Sequence, residues 1–233
     1  MTYHPAERRA PPASRFQNPP LMESKSQKSA DSASVVFTIP GEMPMIVLSD
    51  CFLLPGCFLP LFIFEERYRL MLDHALRHDR MFCVGIRKKA SDENSEVLPC
   101  STAGLVRACV RNPDGTSQLM LYGLKRIEIT GWAQETPFRI AQIREVETEV
   151  CPPSELEALR ARAVSLLPVA PDDACDAVKL LREAANNIPD PERLCDILAY
   201  HFVKKASLMK VLMSERSVEK RYRLLIAELQ SQQ

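Results

Sequence analysis

Between residues 35 and 150 the apolar positions fall in short runs, and several alternate with polar ones. Residues 45–48 form one run and residues 59–64 a second, with Pro55-Gly56 just ahead of it. Glu65 then opens a helix, because Tyr68, Met71, Leu72, Ala75 and Leu76 recur at 3.6-residue spacing. Residues 81–86 read as a buried strand. Val106, Ala108 and Val110 alternate toward Asn112-Pro113-Asp114-Gly115, and Leu119 and Leu121 alternate on the return. Pro113 presets the entry to that turn and Gly115 supplies its positive φ, so the segment predicts a hairpin. Ile127 and Ile129 continue the alternation, with Arg126 and Glu128 expected to face outward. Residues 138–146 are a last strand candidate. Short strands around one inserted helix predict a small, closed or half-closed antiparallel sheet.

After Cys151-Pro152-Pro153 the period lengthens. Ser154 with Glu157 reads as a capping box, followed on one face by Leu156, Leu159, Ala163 and Leu166. Asp173 is the expected cap of a second helix, running through about Ala185 and ended by Asn187, Ile188 and Pro189. Asp190 caps a third, with Pro191 in its first turn. Leu194, Ile197, Leu198, His201 and Phe202 line its apolar face, which makes His201 an expected core histidine. A short helix over 207–213 and a last one over 217–229 complete a helical bundle. Val218, Tyr222, Leu225 and Leu229 repeat on one face of the last. Residues 1–34, rich in Pro, Ser, Lys and Arg, are expected to be a disordered tail, and Met22 is an alternative start. The expected division is therefore a tail (1–34), a β-rich domain (35–150) and a helical subdomain (151–233).

Composition narrows the function. Hydrophobic residues are 46% and charged residues 26% of the 233, as in globular proteins. Thirty basic residues balance thirty acidic ones, so no overall positive field favours nucleic acid. The longest uncharged apolar stretch, residues 51–64, has 14 residues and is broken by Pro55, Gly56 and Pro60. A membrane-spanning helix needs about 20. No apolar segment of secretory type follows Arg8, Arg9 and Arg15, and prolines there oppose a presequence helix, so the expected location is the cytoplasm. The eight cysteines lack any C-x-x-C spacing and mostly neighbour apolar residues, so they are expected to be reduced and small core residues.

Catalytic motifs are missing. There is no phosphate-binding P-loop, no dinucleotide-binding glycine turn, no nucleophile elbow and no H-E-x-x-H. S-x-x-K occurs at Ser207–Lys210 and Ser217–Lys220 without its partner motifs, and Ser217 reads better as a helix cap. His74 and His78 share a helix face beside Asp73, where a solvated surface outweighs a metal site. No histidine flanks a cysteine pair, so no zinc site is expected. Arg87-Lys88-Lys89 and Lys204-Lys205 are short basic clusters, the first followed by Asp92, Glu93 and Glu96. No catalytic, cofactor or metal residue is assigned.

Residues 52–72, FLLPGCFLPLFIFEERYRLML, resemble the signature of the Lon protease N-terminal, substrate-binding domain. The matching positions are Pro55, Gly56, Pro60, Leu61, Phe64, Glu65, Arg67, Tyr68 and Met71. Residues 102–129 are similar to the hairpin of that family, with Asp114-Gly115 in the turn and Gly123-Leu124-x-Arg126 after it. Residues 214–229 are similar to its final helix. Two positions depart: the family often has His where Phe62 stands and Pro where Glu66 stands. The resemblance implies an α+β fold, a PUA-like β pseudo-barrel with one inserted helix, followed by a C-terminal α-helical bundle. It implies a non-catalytic polypeptide-binding module, an adaptor or holdase in protein quality control. The expected partners are unfolded or misfolded polypeptides and a protease, with no membrane, no cofactor and nucleic acid disfavoured. Phe62, Phe64, Glu65, Arg67 and Tyr68 are the candidate contact residues, with Arg67 and Tyr68 also able to pin the helix to the sheet. A full Lon protease continues into a long helix, an AAA+ ATPase and a Ser-Lys peptidase. This sequence stops at Gln233, so a stand-alone recognition part is expected. The alternative is a PUA-like RNA-binding module contacting phosphates through Arg87, Lys88, Lys89 and Arg107.

Overall fold

The alternating segments become six strands in the computed structural model, which describes residues 37–88, 96–149, 151–167, 183, 185 and 187–232. The tail over 1–34 and most of the helix expected from Asp173 lie outside the described residues. The strands are β1 (Glu42–Leu48), β2 (Phe58–Ile63), β3 (Met81–Ile86), β4 (Cys100–Arg111), β5 (Ser117–Gln134) and β6 (Arg139–Glu145). Helix α1 (Glu66–Arg77) is inserted between β2 and β3. Helices α2 (Pro153–Ser165), α3 (Pro191–Phe202), α4 (Ala206–Ser214) and α5 (Val218–Ser231) follow. The result is an α+β fold. No described helix is long and apolar enough to cross a membrane.

The sheet runs β2-β5-β4-β3-β1-β6, and β6 pairs back onto β5. Strands β1, β3, β4, β5 and β6 thus close a ring, while β2 is joined on one side only. β5 makes this possible by its length of 18 residues. One edge of it pairs with β2 from Ser117 to Tyr122 and with β6 from Ile127 to Gln134. Register shifts in the β4–β5 and β5–β6 ladders supply the bends that closure needs. One expectation is corrected: β1 and β3 pair in parallel, so the sheet is mixed. Between them lie β2 and α1, which provide the long crossover a parallel pair requires.

Strand alternation divides the core. Met43, Met45 and Val47, Met81 and Cys83, Ala103 and Leu105, Ile127, and Ala141 and Ile143 form one cluster. Every ring strand contributes, so this cluster fills the barrel. The opposite parity, including Ile46, Phe82, Val84 and Val106, joins α1 and the C-terminal helices in a larger core. Tyr68 anchors α1 there: its hydroxyl donates to Val47 O at 3.1 Å and accepts from Val47 N at 3.3 Å. Arg67 is half-exposed, ion-paired with Glu65 at 2.6 Å, and lies over the Tyr68 ring.

The Pro55-Gly56 turn docks on β5 by backbone contact. Gly56, at φ 79°, donates its N–H to Gly123 O at 2.9 Å. Gly123 donates in return to Cys57 O at 2.9 Å. A Cβ on Gly123 would lie 2.1 Å from Leu54 O, so no larger residue fits.

Arg126 points out of the barrel as expected, yet it is covered. Its side chain leaves the barrel but meets α3, where its Nη1 and Nη2 each donate to Asp196 at 2.6 Å. From α5, Arg221 donates to Asp196 at 2.9 Å and to Glu192 at 2.8 Å. Arg126, Asp196 and Arg221 are 6%, 1% and 1% exposed. Charges this deep are tolerated only when paired.

Two helix details also differ from expectation. α2 starts at Pro153, one residue before the anticipated cap, and shows no side-chain cap bond. Proline at the first position, which has no N–H to satisfy, replaces the capping box. His201 is exposed, not buried, because the buried stripe of α3 runs through Leu194, Cys195, Leu198 and Ala199. Asp190 and Ser217 do cap α3 and α5, accepting from Glu192 N at 3.0 Å and Lys220 N at 3.3 Å.

Two predictions follow from the buried charges. Asp196→Ala leaves two guanidiniums without their shared carboxylate, so urea unfolding should show a loss of about 3–5 kcal/mol; an unchanged midpoint contradicts the assignment. Burial raises the Glu192 pKa, but hydrogen bonds from Arg221 and Thr148 and the charges of Arg221 and Arg126 outweigh it, leaving it below the ordinary value. The unfolded chain regains that value, about 4.3, so this stabilisation is complete above it and lost as pH falls below it. Acid titration of Glu192→Gln should show a shallower loss there than the parent chain.

Candidate functional site

β2 places its side chains on two faces. Leu59 and Ile63 are buried, while Phe58, Pro60 and Phe62 face solvent. Cross-strand register extends this outer face over β5 and β4. Pro60 lies opposite Met120 and Met120 opposite Ala108; Phe62 lies opposite Gln118 and Gln118 opposite Val110. These side chains line a shallow groove of about 480 Å³. Phe58 and Phe62 are 50% and 54% exposed, Phe64 60% and Val110 63%. The Phe62 and Phe64 rings stack at 6.0 Å, and Phe58 meets Tyr122 at 4.9 Å. Contiguous exposed apolar side chains mark interaction surfaces more often than scattered ones do.

The open edge of β2 is guarded. Antiparallel residues alternate between exchanging hydrogen bonds with the partner and pointing away from it. Cys57 O accepts from Gly123 N, so positions 59, 61 and 63 continue that ladder and positions 58, 60 and 62 point away. Pro60 has no N–H to offer at its outward position. Tyr200 of α3 donates its hydroxyl to Phe58 O at 2.8 Å, occupying another. A proline and a covering side chain are common protections of a sheet edge. The accessible feature is the side-chain face, not the backbone edge.

Of the five residues singled out from the sequence, Phe62 and Phe64 stand together at this surface. Glu65 precedes α1 and pairs with Arg67 beside them. Tyr68 is buried, with its hydroxyl on Val47. The sequence reading missed Phe58, Ala108, Val110 and Met120 as surface. It placed Val106, Ala108 and Val110 on one face, but a register shift between Val106 and Ala108 inverts the phase. Val106 is buried, and Ala108 and Val110 are exposed.

The basic residues considered for RNA are not gathered. Met81 pairs with Leu105, so Arg107 lies beyond one end of β3, while Arg87 follows its other end at Ile86. Six residues of strand span about 20 Å. Lys88 is ion-paired with Glu96, and Lys89 lies outside the described residues. The Cys57 thiol just ahead of β2 is not a nucleophile: burial, with Asp196 nearby, pushes it up to about 12. His74 and His78 stack at 4.3 Å, and His78 Nδ1 is engaged with His74 O at 2.7 Å. Among the described residues one group could offer three metal ligands, Cys151, Glu155 and Glu219. Arg223 already bonds both of its carboxylates, at 2.9 and 2.7 Å.

This ring of strands with an inserted helix and a helical cover is the architecture of Lon N-terminal domains. The N-terminal domain of a Mycobacterium avium complex Lon protease superposes with a TM-score of 0.64 at 21% identity, covering 82% of this chain and all of that one. A Lon N-terminal domain protein from Xanthomonas campestris gives 0.59 at 17% identity, covering 80% and 97%. At those identities the likeness establishes the fold alone. The sequence goes further: the chain belongs to the family of the ATP-dependent protease La (LON) substrate-binding domain, whose model matches residues 42–231. Lon protease of Escherichia coli K12 is 26% identical over 201 residues, 82% of this chain. That of Azospirillum brasilense is 26% identical over 212 residues, 86% of this chain. The chain spans about a quarter of the length of these relatives.

Edge protection is testable. Pro60→Val combined with Tyr200→Phe restores an outward donor and frees Phe58 O. Sedimentation velocity should then show larger species appearing with concentration, absent from the parent chain. Identical distributions for the two would show that these residues do not guard the edge.

Proposed function

We propose that this chain is a non-catalytic polypeptide-binding module that holds extended apolar segments of unfolded or misfolded proteins. It acts as an adaptor or holdase in protein quality control, in the cytoplasm, and hands its cargo to a protease. The observation that carries the reading is the groove between Phe62 and Val110, continuous with the Phe62–Phe64 stack. Membership of a substrate-binding family supports polypeptide as the ligand class. An apolar face without a hydrogen-bonding edge recognises side-chain hydrophobicity rather than a sequence register, which suits diverse unfolded chains. Aromatic anchors dominate such surfaces, since each buries a large area with few rotatable bonds.

The reading is tested by titrating a fluorescent, permanently unfolded polypeptide into the parent chain and Phe62→Ser/Phe64→Ser. Both side chains are more than half exposed, so folding should be retained, as far-ultraviolet circular dichroism would verify. The double variant should bind at least about tenfold more weakly, the loss typical of a truncated aromatic anchor. Equal affinity would place binding elsewhere. Nuclease-sensitive, salt-labile binding to RNA in preference to polypeptide would replace the reading outright.

A further inference from the structure

On the α1 side of the same sheet, the first helix and the β4–β5 turn enclose a second cavity of about 250 Å³. Its polar walls are Arg69 and Asp73 of α1, Arg111 and Asn112 at the end of β4, and Ser117 at the start of β5. Two of these groups stand without partners. Ser117 is only 4% exposed, yet its hydroxyl makes no hydrogen bond among the described residues. Arg69 is half-buried and its guanidinium lies against Gly115: a Cβ there would be 1.9 Å from Nη2. It makes no hydrogen bond or ion pair among the described residues. The Asp114 carboxylate, which feels the Arg69 charge, makes its hydrogen bonds instead with Thr116 N and Thr116 Oγ1 at 2.9 and 2.7 Å.

We propose that this cavity is a carboxylate-binding site, with the anion held between the guanidiniums of Arg69 and Arg111 and the hydroxyl of Ser117. The donor set is of the kind that grips oxyanions, because guanidinium N–H groups form a planar fork that matches paired oxygens. The charge count selects among oxyanions. Asp73 already matches Arg111 in the cavity wall, and the charge of Arg69 is met only by the exposed Asp114 carboxylate, with which it forms no ion pair. So small a positive excess suits a monoanionic carboxylate rather than a phosphate dianion. The Ser117 hydroxyl and the Arg69 guanidinium, without protein partners among the described residues, leave donor capacity that a bound carboxylate would take up. Resting on the polypeptide-binding reading above, the carboxylate belongs to the bound chain, either its C-terminus or an acidic side chain flanking the apolar segment.

The test is an amide NMR titration of the full chain with N-acetylglycine, using N-acetylglycinamide as the neutral match and inorganic phosphate as the dianion. Saturable shifts are expected at the amides of Gly115, Thr116 and Ser117 with N-acetylglycine, none with the amide and weaker ones with phosphate. Arg69→Gln should weaken N-acetylglycine about tenfold, the loss expected of one charge-assisted hydrogen bond, and Arg69→Lys should restore part of it. An equal response to the amide, tighter phosphate binding, or an Arg69→Gln variant that titrates like the parent would each overturn the proposal. The small probe does not need the groove, so its binding should survive Phe62→Ser/Phe64→Ser; the two sites therefore fail or succeed separately. Three apolar peptides then identify the source: one with a free C-terminus, one amidated, and one amidated with an internal glutamate. Tighter binding of the first assigns the chain end, and of the third an acidic side chain. Identical affinities for all three overturn a carboxylate role in polypeptide capture.

Discussion

Two buried guanidiniums share the Asp196 carboxylate, and this contact fixes where the helices sit on the barrel. Arg126 reaches it from β5 and Arg221 from α5, while Asp196 itself stands on α3. Three elements remote in sequence meet at one pair of oxygens. Removing charges from water is costly, and the Nε atoms of both arginines find no partner. Such a cluster therefore adds less net stability than its short distances suggest. It does specify geometry, because any sliding of the helices would strand a buried charge. Arg126 also lies just before the point where β5 changes partner from β2 to β6, three residues beyond Gly123. The turn that delivers β2 is docked on Gly123, so the cluster, the turn and the apolar strand form one connected frame.

That frame explains how apolar side chains can remain at the surface of a stable domain. β2 has no strand on its outer side, yet its backbone is shielded by Pro60 and by the Tyr200 hydroxyl. Self-association through the edge is disfavoured, and the phenyl rings stay available. On β4 the register shift after Val106 rotates Ala108 and Val110 to the same surface. A local irregularity thus widens a one-strand stripe into a three-strand face.

Much of the fold was legible because it rests on local signals. Alternation located the strands, helical spacing located α1 and the C-terminal helices, and Asp190 and Ser217 announced their caps. Gly115, at φ 82°, is the turn residue that the Asn-Pro-Asp-Gly segment required. What escaped was decided by tertiary context. Parallel pairing of β1 with β3 has no marker in either strand. The phase inversion on β4 is set by a bulge that hydrophobicity does not encode. The cover over Arg126 was not legible, because alternation gives the side of a strand, not what lies on it. The motif Gly123-Leu124-x-Arg126 carried the clue, since a glycine that admits no Cβ and a buried arginine three residues on both serve docking. The candidate face was half visible, through Phe62 and Phe64; its β4 and β5 half became visible only with the register in hand.

The central claim is that unfolded chains bind the outer face of β2, β5 and β4. Site-specific photo-crosslinking addresses it directly, with benzoylphenylalanine placed at Met120 within the groove or at Trp132, an exposed aromatic on the far half of β5. With an unfolded polypeptide present, the account predicts crosslinks from position 120 and little or none from position 132. Equal crosslinking from both, or capture from position 132 alone, would contradict it.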